Sequence, residues 1–164
     1  MSDISNISTI RADNLEQVLL REGVIASVTV GISMRPLFKT RRDMVVIRAA
    51  DGVLSKYDVA LYKVGSRFVF HRVIGVDTSR GLYRIRGDNT YKIEIVPFDS
   101  VIGVLESFNR KGKRVSVCDR GYRFYSRFWN VIYPIRYAVR LPYVGLRRIL
   151  RPIKRAIKNS RSGE

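Results

Sequence analysis

What most constrains this chain is the rhythm of its central part. Between Val24 and Val117 the sequence breaks into short runs rich in Val, Ile, Leu, Tyr and Phe: Val24–Val30, Asp43–Arg48, Val59–Val64, Arg67–Val76, Leu82–Arg86, Val101–Phe108 and Arg114–Val117. Each run is too short for an ordinary helix, and each is bounded by Gly, Asp, Ser or Lys/Arg segments, the pattern of β-strands joined by turns. Asp77-Thr78-Ser79-Arg80-Gly81 is a polar loop with a glycine, and it predicts a hairpin between the runs on either side. Arg110-Lys111-Gly112-Lys113 predicts a second hairpin. Many short strands with no internal repeat predict a mostly-β fold, a partly open barrel or sandwich of short strands.

The two ends differ from this centre. Asp13 to Gly23 reads as a short helix: Asp13 or Asn14 caps it, Glu16 lies in its first turn, Leu15, Val18 and Leu19 form an inward stripe, and Gly23 stops it. From about Tyr122 the chain turns basic and aromatic. After Pro142, Leu146, Ile149, Leu150, Ile153 and Ile157 recur at helical spacing, with Arg147, Arg148, Arg151, Lys154 and Arg155 between them. Pro152 would kink that basic amphipathic helix or start a new turn. The expected organisation is an N-terminal segment over 1–23, a β domain over 24–118 and a basic C-terminal region over 119–164.

The charge divides the same way. The formal charge is +17, but residues 1–109 carry 15 Lys and Arg against 12 Asp and Glu, whereas residues 110–164 carry 16 against 2. So strong a local excess points to an anionic membrane surface, nucleic acid or an acidic partner. Arg127, Trp129, Arg136, Arg140, Arg147, Arg148, Arg151, Lys154 and Arg155 combine cations with an aromatic in the manner of a helix lying in a membrane interface. The alternatives are a helix packed on its own domain with a solvated basic face, and base stacking on an arginine-aromatic surface. The longest apolar stretch, Phe128 to Leu146, is interrupted by Pro134, Arg136, Arg140 and Pro142, so no spanning helix is expected. The N-terminal residues lack the apolar core of a secretory signal. Cys118 is the single cysteine and His71 the single histidine, which excludes an internal disulfide and leaves no expectation of a zinc site or other cofactor.

Three residues carry candidate chemistry. Ser33 lies in Gly31-Ile32-Ser33-Met34-Arg35-Pro36, where a strand gives way to a turn. Such a turn can expose a serine oxygen and aim backbone N–H groups of Gly31 and Ser33 at a developing oxyanion. A serine that caps a turn is the plainer reading. His71 sits in Phe70-His71-Arg72-Val73-Ile74, with Val69 and Val73 on its face; it is either a general base or a structural imidazole. Asp88, in the turn Gly87-Asp88-Asn89, either orients an imidazole or bonds its own turn, and Glu94 is the second candidate acid.

Taken together and in order, these segments resemble the signal peptidase I family and its wider superfamily with self-cleaving repressors. Ser33-Met34-Arg35-Pro36 is similar to the nucleophile box, Lys56-Tyr57-Asp58-Val59-Ala60-Leu61-Tyr62 to the next, and Phe70-His71-Arg72-Val73-Ile74-Gly75 to the box carrying the base. Gly87-Asp88-Asn89 and Val101-Ile102-Gly103-Val104 are similar to the last two. The resemblance covers about residues 28–105 and implies the version of the family with histidine as base. It implies a serine endopeptidase in which Ser33 attacks the scissile carbonyl, His71 takes its proton, and Asp88 or Glu94 orients the imidazole. The implied substrate is a leader or signal segment of a peptide or protein precursor. Two departures stand out: Tyr57 replaces the usual glycine, and no membrane anchor precedes Ser33. The expectation is therefore a peptidase held peripherally at the cytoplasmic face of a membrane, its cooperating exporter unidentified. The competing expectations are a peptidase-like module that binds peptide or membrane without hydrolysis, and a nucleic-acid-binding regulator.

Overall fold

The computed structural model describes residues 12–65 and 67–139. Helix α1 (Ala12–Glu22) leads into eight strands, β1 (Val24–Val28), β2 (Met44–Ala49), β3 (Val59–Val64), β4 (Arg67–Asp77), β5 (Leu82–Arg86), β6 (Glu94–Pro97), β7 (Val101–Arg110) and β8 (Lys113–Ser116). Helix α2 (Arg120–Val131) follows. The described chain divides into two compact units, one ending at Arg127 and the other beginning at Phe128. The first therefore runs past the expected limit at residue 118 and takes in Tyr122, Tyr125 and Ser126.

All strand pairs are antiparallel, in a single sheet ordered β1-β2-β7-β3-β4-β5-β6, with β8 pairing β7. The fold is mostly β, as the rhythm of short runs implies. β3 and β5 coincide with their expected bounds, and Asp77 to Gly81 makes the hairpin between β4 and β5. β6 is an additional strand. Its Glu94 pairs with Ile85 and its Pro97 with Leu82. Pro97 has no N–H to give a further neighbour, which suits the last strand of the sheet.

β3 is buried over its first four residues because both faces are covered. Val59 and Leu61 join Leu19, Ile47, Phe38 and Phe108 in one core, while Ala60 and Tyr62 join Val73, Tyr83 and Ile85 in another. Side chains alternate across a strand, so one strand serves two cores. Gly103 on β7 lies under α1: a Cβ there would come within 2.8 Å of Leu19 and of Ile47. The absence of a side chain lets the Leu19 stripe of α1 settle on the sheet.

In the second unit, residues 133–139 are helical. The guanidinium of Arg136 lies over the Trp129 ring at 3.8 Å, and Phe128, Val131, Ile135 and Val139 are exposed. Arg140, Arg147, Arg148, Arg151, Lys154 and Arg155, the expected amphipathic helix and the C-terminal tail lie outside the described residues. No helix among the described residues is long and apolar enough to cross a membrane.

Candidate active site

Ser33 is held between two anchors. On its N-terminal side Gly31 adopts φ +99°, a left-handed conformation that glycine takes without steric cost, and Thr40 Oγ1 donates to the Gly31 carbonyl. On its C-terminal side Met34, Leu37 and Phe38 are buried in the core, and the Phe38 N–H donates to the Met34 carbonyl at 3.1 Å. A serine between a free-turning glycine and an apolar plug stays at the surface, and Ser33 is half-buried. Its carbonyl accepts from the N–H of Asn89 at 2.7 Å, and Asn89 Nδ2 donates to the Ile32 carbonyl at 3.2 Å. The Gly87–Asn89 turn thus lies directly against the serine turn.

His71 comes from β4, paired with Ala60 of β3. Ala60 is small, so the residue two further along β3, Tyr62, can reach the imidazole diagonally. The Tyr62 hydroxyl lies 3.2 Å from His71 Nδ1 and donates to Glu94 Oε2. Glu94 Oε1 lies 3.8 Å from Nδ1. Since the hydroxyl proton goes to the carboxylate, the tyrosine oxygen accepts from Nδ1–H, and that tautomer leaves the Nε2 lone pair free. Burial, with the bond to Glu94, pushes the Tyr62 hydroxyl far above its usual range, so it stays a donor. Burial also lowers the His71 pKa below its ordinary 6.5, and Glu94 and Asp88 raise it back only in part. The imidazole is neutral near pH 7, as a general base must be.

The opposite edge of the ring meets Gly87. A Cβ on Gly87 would lie 2.8 Å from the Ser33 carbonyl oxygen and 3.1 Å from His71 Nε2 and Cδ2. The Ser33 carbonyl and the Nε2 edge of His71 therefore both border the space that a side chain on Gly87 would fill. Among the described residues the Ser33 hydroxyl makes no hydrogen bond, and its backbone N–H has no acceptor. Both are free to meet a substrate.

The two candidate acids part company. Glu94 faces His71. Asp88 turns to Arg72, with Nε to Oδ1 and Nη2 to Oδ2 both at 2.8 Å, and Tyr125 Oη donates to Oδ2 at 3.1 Å. Adjacent residues of β4 point to opposite faces, so His71 and Arg72 each take one acid. Arg72 is fully buried; burial works to lower its pKa, but Asp88 outweighs that and holds the guanidinium above its usual value. Tyr57 adopts a left-handed φ of +83°, and its carbonyl accepts from Arg72 Nη1 at 2.9 Å. Glycine would adopt that conformation freely; tyrosine holds it in spite of its side chain.

Ser33, His71 and Glu94 line a cleft of about 820 Å³. Its walls come from the end of β1 and the segment after it (Ser27 to Gly31), from β4 (Arg67 to His71) and from the approach to β6 (Lys92 to Val96). The strands at the two ends of the sheet thus both contribute. Among the described residues no group of three or more His, Cys, Asp or Glu side chains could hold a metal ion. Tyr62 is the site residue that sequence reasoning did not single out. Its only sequence signal is its place two residues after Ala60, which means nothing until the register of β3 against β4 is known. Comparison with known protein families and with curated proteins finds no match.

Proposed function

We propose that the chain is a serine endopeptidase of the signal-peptidase type, with Ser33 as nucleophile, His71 as base and Glu94, assisted by Tyr62, as the orienting acid. The observation that carries this reading is the imidazole held at Nδ1 by Tyr62 and Glu94 while its Nε2 edge and the Ser33 carbonyl both border the space beside Gly87. Ser33 Oγ attacks the scissile carbonyl as Nε2 takes its proton. The imidazolium is stabilised by Glu94, and the backbone N–H of Ser33 receives the oxyanion. Nε2 then returns the proton to the leaving amine, and water attacks the acyl-enzyme with the same nitrogen as base. Apo hydroxyl-imidazole contacts in such sites are commonly long and tighten on substrate.

An extended peptide suits the cleft, because its walls include β1 and β6, the first and last strands in the sheet order among the described residues, and strand addition at a sheet edge supplies main-chain hydrogen bonds without demanding one sequence. The barrel-like closure of the sheet belongs to the same reading: bound peptide bridges its two ends. The substrate class is a leader or signal segment of a precursor. The basic region holds the enzyme peripherally at an anionic, cytoplasmic membrane face, where each cation near the surface contributes about 1 kcal/mol. Exposed Phe128, Val131, Ile135 and Val139 beside Arg127 and Arg136 support that placement. Co-sedimentation with anionic but not neutral vesicles tests it, and a mobility shift of DNA at moderate salt would favour the nucleic-acid reading instead.

Cleavage of precursor peptides by purified protein, abolished in both Ser33→Ala and His71→Ala, is the expected result; unchanged cleavage in either variant overturns the mechanism. The absence of a Ser33–His71 hydrogen bond favours a second reading, a peptide-binding module without hydrolysis. Failure of a fluorophosphonate to label Ser33 in folded protein would support it.

A further inference from the structure

Helix α2 lies outside the segments that suggest a peptidase, yet one of its faces ends on the group that positions Ser33. Tyr122, Tyr125 and Ser126 fall at spacings of three and four, so they share one side of the helix. Tyr122 and Ser126 are buried, while Phe124 on another side is 70% exposed. Ser126 Oγ accepts from Arg72 Nη1 at 2.9 Å and Tyr122 Oη accepts from the same nitrogen at 3.3 Å. Tyr125 Oη donates to Asp88 Oδ2 at 3.1 Å. Both tyrosine rings lie near the guanidinium, at 5.8 and 5.9 Å. The helix therefore grips both members of the Arg72–Asp88 pair.

Asp88 is the middle of the Gly87–Asn89 turn. On one side of it the Ser33 carbonyl and the imidazole border the space that a Gly87 side chain would fill, and on the other the Asn89 N–H donates to that carbonyl at 2.7 Å. The turn is closed by Thr90 Oγ1, which accepts from the Gly87 N–H at 3.0 Å. A shift of Asp88 thus displaces both its neighbours, Gly87, which borders the Ser33 carbonyl and the imidazole, and Asn89, which holds that carbonyl.

We propose that Tyr122, Tyr125 and Ser126 of α2 are positioning residues: through Arg72 and Asp88 they hold the Gly87–Asn89 turn, and through it the register of Ser33 against His71. The proposal rests on the peptidase reading for its effect on rate, but the coupling itself is physical and measurable without turnover. It makes one face of α2, and not the helix as a whole, a support for the site.

The test uses the full chain with Tyr125→Phe, Ser126→Ala and both together, with Ser126→Thr as the conservative variant and Phe124→Ala as the control on another side of the helix. The double variant is expected to lower the rate of Ser33 labelling by a fluorophosphonate about 10²-fold, the scale of a 1 Å misplacement. On precursor peptide the loss falls in kcat with KM little changed. Amide hydrogen exchange at Asn89 speeds up while β2 and β7 amides keep their protection. Ser126→Thr retains the hydroxyl and restores both readouts, and Phe124→Ala leaves them at wild-type values. Wild-type labelling and Asn89 exchange in the folded double variant overturn the proposal. If the wild-type protein itself does not label, the peptidase reading fails and Asn89 exchange alone decides the coupling. Should the double variant not fold, Tyr125→Phe, which removes one hydroxyl, carries the same comparison.

Discussion

Glu94→Gln separates orientation from structure most sharply. The substitution keeps the shape of the side chain and an acceptor for Tyr62, and it removes only the charge facing His71. As Nε2 takes a proton in the attack step, the ring becomes cationic with Glu94 Oε1 3.8 Å from Nδ1. At an effective dielectric of about 20 a pair at that distance interacts by about 4 kcal/mol. The Glu94 side chain is 29% exposed, so screening reduces this to about 2–3 kcal/mol. At 1.36 kcal/mol per tenfold, kcat/KM falls about 30- to 150-fold. The pH profile moves as well. Glu94 raises the His71 pKa, so its removal lowers it further, and the acid limb of kcat/KM, already below pH 6.5 in the wild type, shifts to lower pH. The assay is kcat/KM for a precursor peptide across pH, with the thermal midpoint as a control on folding. A folded Glu94→Gln protein within threefold of wild type, or an acid limb that moves upward, refutes the assignment of Glu94.

Asp88→Asn removes the same charge from the other face of β4 and is expected to act on the fold: it leaves the fully buried Arg72 unpaired, which costs about 3–5 kcal/mol and lowers the thermal midpoint by roughly 10 °C or more. Tyr57→Gly relieves a left-handed side-chain conformation at φ +83° and is expected to raise stability by about 0.5–1 kcal/mol in denaturant titrations, with the Arg72 contact to the carbonyl intact. Ser107 Oγ is buried with no hydrogen-bond partner among the described residues, so Ser107→Ala is expected to stabilise by about 1 kcal/mol, read the same way. Because the folded His71 pKa lies below 6.5, its contribution to stability is complete above pH 6.5 and is lost as pH falls from there toward the folded value, a loss that His71→Gln abolishes in pH-dependent melts.

Much of the sheet can be read from the chain because its strands are cut by glycine-containing turns and carry alternating apolar residues: β3 and β5 agree to the residue. β6 escapes such reading. Its four residues are exposed at Ile95, end in a proline and follow a polar segment, and what makes them a strand is the company of β5. The site divides the same way. Ser33 and His71 are marked by residue type and local motif, whereas the choice between Asp88 and Glu94 depends on which face of β4 each acid meets, and that is a matter of register. Tyr62 and the Tyr122–Tyr125–Ser126 face are ordinary strand and helix residues until the sheet brings them to an imidazole and a guanidinium. Side-chain chemistry is local and legible; partnership between distant strands is not.

The alternation of His71 and Arg72 on β4 also limits how the chain can change in length. One residue inserted or deleted between Val69 and His71 would turn every following side chain over, carrying a guanidinium into the cleft and an imidazole into the socket under α2. Substitution at either position alters one face at a time, but an insertion exchanges both at once, with no intermediate in which one face still works. The loop from Thr78 to Gly81 can change in length without such an inversion.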